Sequence, residues 1–244
     1  MKAWKVALLV LAFCLLPAYA GAVEDGYTVF HGSREVSWVA VTVDDCYDMS
    51  HVTEILDLCE TYGVPVTFFV VGSALQEADA EIWQRALSMG CEIGNHTWSH
   101  ERLYKLSREQ IKSQLDRTAE RLDKVLGWHY GMQVMRPPYG RLSADPSKKS
   151  DKWVVESIEQ AGYLHAVRWD VDQTDPDKAI QDVENGSIIL YHANPKDVRC
   201  LKQLLPELLE QGYQLVTVSD LLDLGMPVVA EEIDWMVGKI EGLP

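Results

Sequence analysis

Trp38-Val39-Ala40-Val41-Thr42-Val43-Asp44-Asp45-Cys46 is an apolar, largely β-branched run that stops abruptly on two adjacent carboxylates. Such a run suits a strand buried on both faces, the kind that parallel sheets contain. Parallel α/β folds place their chemistry where strands end and loops begin, so the position of the two acids matters as much as the run. A strand is expected over residues 38–43. Paired carboxylates at its end are costly to bring together unless a cation sits beside them, and a solvated Asp-rich turn is the alternative.

The pattern recurs downstream. Further strands are expected at 66–70, 91–95, 134–136, 164–169, 187–191 and 214–218, each separated from the next by a segment of helical period. The clearest helix starts after Ser107, where Ser107 and Gln110 make a capping-box pair, Ile111, Leu115, Leu122 and Leu126 share one face, and Gly127 suits the end. Other helices are expected at 51–62, 80–89, 152–161, 198–211 and 219–224. Seven strand–helix units predict an α/β chain forming a distorted or incomplete (β/α) barrel of about seven strands in a single domain. An open doubly wound sheet is the alternative.

The chain starts with Lys2 and Lys5, an apolar run over residues 6–16, and Ala18-Tyr19-Ala20, the pattern of a cleaved secretory signal peptide over residues 1–20. The run is too short to span a bilayer, which needs about 20 residues, so no stable membrane insertion is expected after cleavage. Residues 21–35 are then an N-terminal extension, 36–224 the α/β domain and 225–244 a C-terminal tail. A formal charge of −15 repels phosphate backbones and argues against a nucleic-acid partner. Cys46, Cys59, Cys91 and Cys200 lie beyond the signal, in a chain long enough to fold without disulfides. A monomer is expected.

Four more polar clusters follow strands. Asn95-His96-Thr97-Trp98-Ser99-His100 sets two imidazoles four residues apart, on one face if the segment makes a helical turn. With a carboxylate from Asp44 or Asp45 they make a ligand set that leaves positions open for water and substrate. Arg136-Pro137-Pro138-Tyr139-Gly140 has a backbone stiffened by prolines. The last two are the acidic segment from Trp169 to Pro176 and Leu190-Tyr191-His192.

In this order the five clusters resemble the motifs of the polysaccharide deacetylases of carbohydrate esterase family 4, the NodB-homology domain. Thr42-Val43-Asp44-Asp45-Cys46 is similar to T-F-D-D-G, the histidine cluster to H-[ST]-x-x-H, Arg136–Gly140 to R-x-P-[YF]-G, Asp172–Asp175 to the start of D-x-x-D-W, and the last to L-x-H. The resemblance implies a secreted hydrolase that removes N-acetyl groups from a peptidoglycan or chitin-like glycan. It implies that Asp45, His96 and His100 hold a divalent metal, with zinc the default and cobalt, nickel or iron as alternatives. Asp44 would be the base acting on water, Arg136 its orienting partner, the Tyr139 N–H an oxyanion donor, His192 the acid and Asp175 the partner of His192. Trp98, Tyr139, Trp169 and Tyr191 would be sugar-stacking walls, with core packing the alternative for Trp169 and Tyr191. Cys46 replaces the family glycine and Pro176 the family tryptophan. The second departure opens Asp172 or Asp170 as the partner of His192, and both motivate an alternative reading as a catalytically impaired glycan-binding protein.

Overall fold

A computed structural model describes residues 27–225 and a short strand at 229–230. The expected signal peptide, residues 21–26 of the extension and the rest of the tail lie outside the described residues.

The described residues form ten strands: β1 (Thr28–Val29), β2 (Trp38–Asp45), β3 (Thr67–Val70), β4 (Glu92–Asn95), β5 (His129–Tyr130), β6 (Val134–Met135), β7 (His165–Val167), β8 (Ile188–His192), β9 (Gln214–Leu215) and β10 (Val229–Ala230). Seven run in the order β1-β7-β6-β4-β3-β2-β8, all parallel, and β9 joins the start of β2. The two ends of this sheet meet through isolated bridges, His31 with Ser187 and Val171 with Ile189. The strands therefore curl into a distorted (β/α) barrel, as the strand–helix count predicts. A separate antiparallel pair joins β5 and β10.

Around the barrel lie α1 (Met49–Tyr62), α2 (Ala80–Ser88), α3 (Arg108–Leu126), α4 (Lys152–Gln160), α5 (Pro176–Asp182) and α6 (Pro195–Glu210), with α7 (Val218–Leu221) near the C-terminus. The capping box at Ser107 and the left-handed Gly127 bound α3 as expected. One helix was not expected. Asp175 caps α5 with its side chain and Pro176 occupies the first turn, a start signal that the motif reading had assigned to catalysis.

Strand alternation sorts the side chains into two layers. Val39, Val41 and Val43 pack with the helices in the larger core, whereas Ala40 belongs to a smaller cluster inside the barrel with Phe69, Val134, Val167 and Ile188. Counting by twos along each strand, Thr42 and Asp44 share the inner side with Ala40, Arg136 with Val134, and His192 with Ile188. Gly94 leaves space on that side, since a Cβ there would come within 2.6 Å of the Phe69 ring. Below, the buried Glu92 accepts from Thr67 and from the Ser219 amide and hydroxyl, tying α7 to the sheet.

The N-terminal extension is part of this frame. β1 pairs with β7, and Arg34 reaches Asp170 at 2.7 Å.

Candidate active site

Arg136 is fully buried inside the barrel mouth, with its guanidinium 4.2 Å from the centre of the Phe69 ring and 5.5 Å from that of Trp169. Its Nη1 donates to Thr42 Oγ1 (2.6 Å) and Asp44 Oδ1 (2.7 Å), while Nε and Nη2 donate to the carbonyls of Val167 (3.3 Å) and Arg168 (3.1 Å). A buried carboxylate is thus met by a buried cation whose other donors are also used. Asp44 keeps Oδ2 for other work, 3.6 Å from His96 Nε2.

His96 and His100 are not on a helical turn. Asn95 turns its side chain outward to α3, where Nδ2 donates to the Leu115 carbonyl, and its Oδ1 accepts the Thr97 amide. Thr97 and His100 then take left-handed backbone conformations, and the Thr97 hydroxyl accepts the His100 amide. That folded loop, rather than helical periodicity, brings the imidazoles together with ring centres 4.9 Å apart.

The result is a cluster. One ligand atom each from Asp45, His96 and His100 lies within 4.8 Å of the others. Asp45 Oδ1 stands 3.6 Å from His96 Nε2 and 3.5 Å from His100 Nε2, too far for good hydrogen bonds. It is buried and has no hydrogen-bond partner among the described residues. Three donors around one tetrahedral ion at bond lengths of about 2.0–2.2 Å would sit about 3.3–3.6 Å apart, so the spacing and the orphaned oxygen both fit a divalent metal. His96 Nδ1 lies 2.8 Å from the Arg136 carbonyl, which sets the tautomer that leaves Nε2 free to ligate. Burial, then the neighbouring His96, lower the pKa of His100 and favour the neutral form a ligand needs.

Two departures from the family pattern are absorbed locally. Cys46 adopts the left-handed conformation that glycine takes without strain, but its buried thiol turns toward the carbonyls of Val43 and Asp44. Burial and the nearby Asp44 and Asp45 push that thiol well above its ordinary range. Pro176 begins α5.

The expected link between Asp175 and His192 is absent. Asp175 spends its carboxylate on the amides of Asp177 and Lys178. Asp170 is engaged by Arg34, Ser187 and the Ile188 amide, and Asp172 is exposed. The partner of His192 is Asp197, whose Oδ2 lies 3.4 Å from His192 Nδ1 and accepts the His192 amide at 2.8 Å. By accepting from the His192 ring, Asp197 raises the pKa of His192, against the effect of burial. The signal for this residue was Asn194-Pro195, an N-cap and first-turn proline that start α6 three residues earlier than expected and aim Asp197 back at the strand end.

Among the expected stacking walls, Tyr139 is exposed at the mouth and lies against His100, ring centres 4.6 Å apart. Trp169 is half-buried over Gly140 and Arg136. Trp98 stacks on Arg117 of α3. Tyr191 offers no surface at all: it faces the helix layer, fully buried, with its hydroxyl 3.3 Å from Cys200 Sγ. Its strand neighbour His192 faces inward, so the two cannot share a wall.

A parallel barrel whose mouth holds an Asp–His–His ligand set beside an arginine-bound carboxylate has the layout of a metallohydrolase site. Residues 31–163 match the polysaccharide deacetylase family, and the chain belongs to it. It is 29% identical over 213 residues to a peptidoglycan-N-acetylglucosamine deacetylase of Bacillus cereus, covering 82% of this chain and 73% of that protein. It is also 29% identical over 219 residues to a bifunctional xylanase/deacetylase of Pseudobutyrivibrio xylanivorans, covering 87% of this chain. The match spans about a third of that larger protein, 35% of its length. A family 4 acetyl xylan esterase from Clostridium thermocellum, solved with a cobalt ion, superposes with a TM-score of 0.66 at 26% identity, covering 77% of this chain and 91% of that one.

Proposed function

We propose that the protein is a secreted, metal-dependent hydrolase that removes N-acetyl groups from the sugars of a peptidoglycan or chitin-like glycan. One observation carries this reading: the buried, Arg136-bound Asp44 stands beside the converging ligand atoms of Asp45, His96 and His100. The names of the relatives support a glycan substrate, and the signal-like N-terminus supports action outside the cytoplasm. We take residues 36–224, with β1 of the extension completing the sheet, as the catalytic domain, acting as a monomer without nucleic acid.

Asp45, His96 and His100 would hold the metal, zinc by ligand type, with cobalt, nickel or iron as alternatives. When bound, it supplies Lewis acidity toward water and the acetyl carbonyl. Asp44 takes the proton of the attacking water on Oδ2, the oxygen that Arg136 leaves free. The Tyr139 N–H donates to the carbonyl oxygen as charge develops on it. His192 delivers a proton to the sugar nitrogen as the C–N bond breaks, so that acetate and a free amine leave. Asp197 holds His192 in place and favours its charged form. Trp98, Tyr139 and Trp169 are the sugar-contacting candidates with partly open rings.

The alternative of a catalytically impaired binding protein arose from Cys46 and Pro176. Their placement weakens it, because the thiol is turned away from the ligand atoms and the proline serves a helix start. The deciding experiment incubates metal-loaded protein with N-acetylated chito-oligosaccharide and with peptidoglycan, measuring acetate release and product mass. Acetate from either supports the hydrolase. Binding of both without release from either defeats it in favour of the alternative.

A further inference from the structure

Three half-buried arginines crowd the loop that carries Tyr139. The Arg102 guanidinium lies 4.0 Å from the centre of the Tyr139 ring, on the residue that also stacks with His100. A Cβ at Gly140 would sit 3.4 Å from Arg168 Nε, and the Arg168 guanidinium lies 4.6 Å from the centre of the Phe30 ring. Arg141 follows Gly140 in sequence and leans over Tyr104 at 5.6 Å.

Counter-charges are scarce around these cations among the described residues. The chain carries 37 acidic and 22 basic residues, and elsewhere arginines find acids readily, as Arg108 does with Glu156 at 2.7 Å. Arg102, Arg141 and Arg168 form no ion pair among the described residues. Asp145, the acid nearest in sequence to Arg141, feels the Arg141 charge but accepts hydrogen bonds from the amide and hydroxyl of Ser147, and Arg141 Nη2 donates to the Ala144 carbonyl at 2.9 Å. Arg168 Nε is moreover buried without a hydrogen-bond partner among the described residues. Arg168 has its pKa lowered, first by burial and then by Arg141, as like charges held together would have. A buried unpaired N–H is costly, and a bound acceptor would remove that cost. Guanidiniums spread on aromatic faces are preset to receive planar carboxylates, with the aromatic rings offering contact to sugar.

We infer that Arg102, Arg141 and Arg168 form an acidic-sugar subsite beside the candidate metal cluster, which selects N-acetylated glycans bearing carboxylates over neutral ones. This rests on the deacetylase reading above and adds a substrate class to it. Neutral chitin-like oligomers would then be the poorer ligands.

The test is direct binding to metal-loaded protein by calorimetry, with turnover recorded separately. The probes are a peptide-free oligosaccharide of N-acetylglucosamine and N-acetylmuramic acid, whose carboxylate is a lactyl ether, and one of N-acetylglucosamine and glucuronic acid. Each is compared with its own methyl ester. At least one acid should bind about tenfold or more tightly than its ester, less so as salt rises, and which one does identifies the carboxylate source. R102Q and R168Q should each reduce that ratio several-fold. Equal affinity of acid and ester for the parent protein overturns the subsite, whether or not the variants fold. So does a ratio that survives in folded R102Q/R168Q, since the carboxylate would then be read elsewhere. Because the ratio needs no turnover, loss of the deacetylase reading would show separately, as absent acetate release from all four probes.

Discussion

Arg136 and Asp44, 92 residues apart in sequence, are joined inside the barrel by a 2.7 Å bond from Nη1 to Oδ1, with the arginine fully buried and the aspartate nearly so. Their attraction offsets a desolvation cost that either would bear alone. Burial lowers the arginine's pKa, and Asp44 acts to raise it again. Arg136→Gln should therefore do two kinds of damage. It leaves a buried carboxylate without its cation, a loss of about 3–5 kcal/mol in unfolding free energy. It also frees Asp44 to rotate, so kcat should fall even at temperatures where the variant is folded. Denaturant melts with parallel kinetics check this, and a variant with parental stability would mean that the pair contributes little.

Asp44→Asn separates the base from the metal. The amide preserves shape and can still accept from Arg136, and Asp45, His96 and His100 are untouched. Metal content should stay at the parental level while the rate falls about 10²–10⁴-fold, the scale of a lost general base. His96→Ala should do the reverse at the first step, losing metal affinity and with it activity. Exhaustive chelation should abolish turnover of the parent, and zinc or cobalt should restore it. Elemental analysis beside acetate release separates these cases; a fully active, metal-free protein would end the metal reading.

Cys46 sits in a left-handed conformation at the end of the decisive strand. Cys46→Gly relieves a backbone cost of about 1–2 kcal/mol, but it removes a buried side chain and adds freedom to the unfolded chain, which together cost about the same. Stability should stay within about 1 kcal/mol of the parent, with most activity and all of the metal retained. Loss of metal from the folded variant would make the thiol a ligand, contrary to its orientation here.

How far the sequence could be read follows from what each signal encodes. All seven expected strands form because an apolar run between polar loops has few other ways to bury itself, and the capping box at Ser107 is local chemistry that needs no tertiary context. Tyr191 could have been placed from sequence too, since one residue along a strand reverses the side it faces; motif adjacency to His192 obscured the parity. Asp175 and Asp197 are harder. Both lie at helix starts marked by proline, but which of two acids reaches His192 depends on where α5 and α6 dock against β8, and no local pattern carries that. The turn of His96 and His100 depends on Asn95, whose side chain reaches α3, and the arginines around Tyr139 are gathered from three separate loops.

Asp175 should matter to the fold and not to proton transfer. Asp175→Ala removes the cap of α5, a cost of about 0.5–2 kcal/mol, with the pH profile unchanged in shape. A shifted alkaline limb would return Asp175 to the role first expected of it.

Asp197 should control that limb instead. His192 has to be protonated to give a proton to the departing nitrogen, so activity is present below its pKa and is lost as pH rises through it. The hydrogen bond to Asp197 raises this pKa, which places the alkaline limb of kcat/KM above the ordinary histidine range. Asp197→Asn keeps an oxygen able to accept from the His192 amide but removes the negative charge, so the limb should move to lower pH while the acidic limb stays in place. His192→Ala should retain metal, lose rate on the amide substrate, and recover most of that loss on an ester whose leaving group needs little protonation. The paired readout makes the roles separable, because a merely structural Asp197 would lower rate at every pH without moving the limb. An Asp197→Asn profile that keeps the parental alkaline pKa, or a His192→Ala defect equal on ester and amide, would leave His192 as a shaping residue and require another acid.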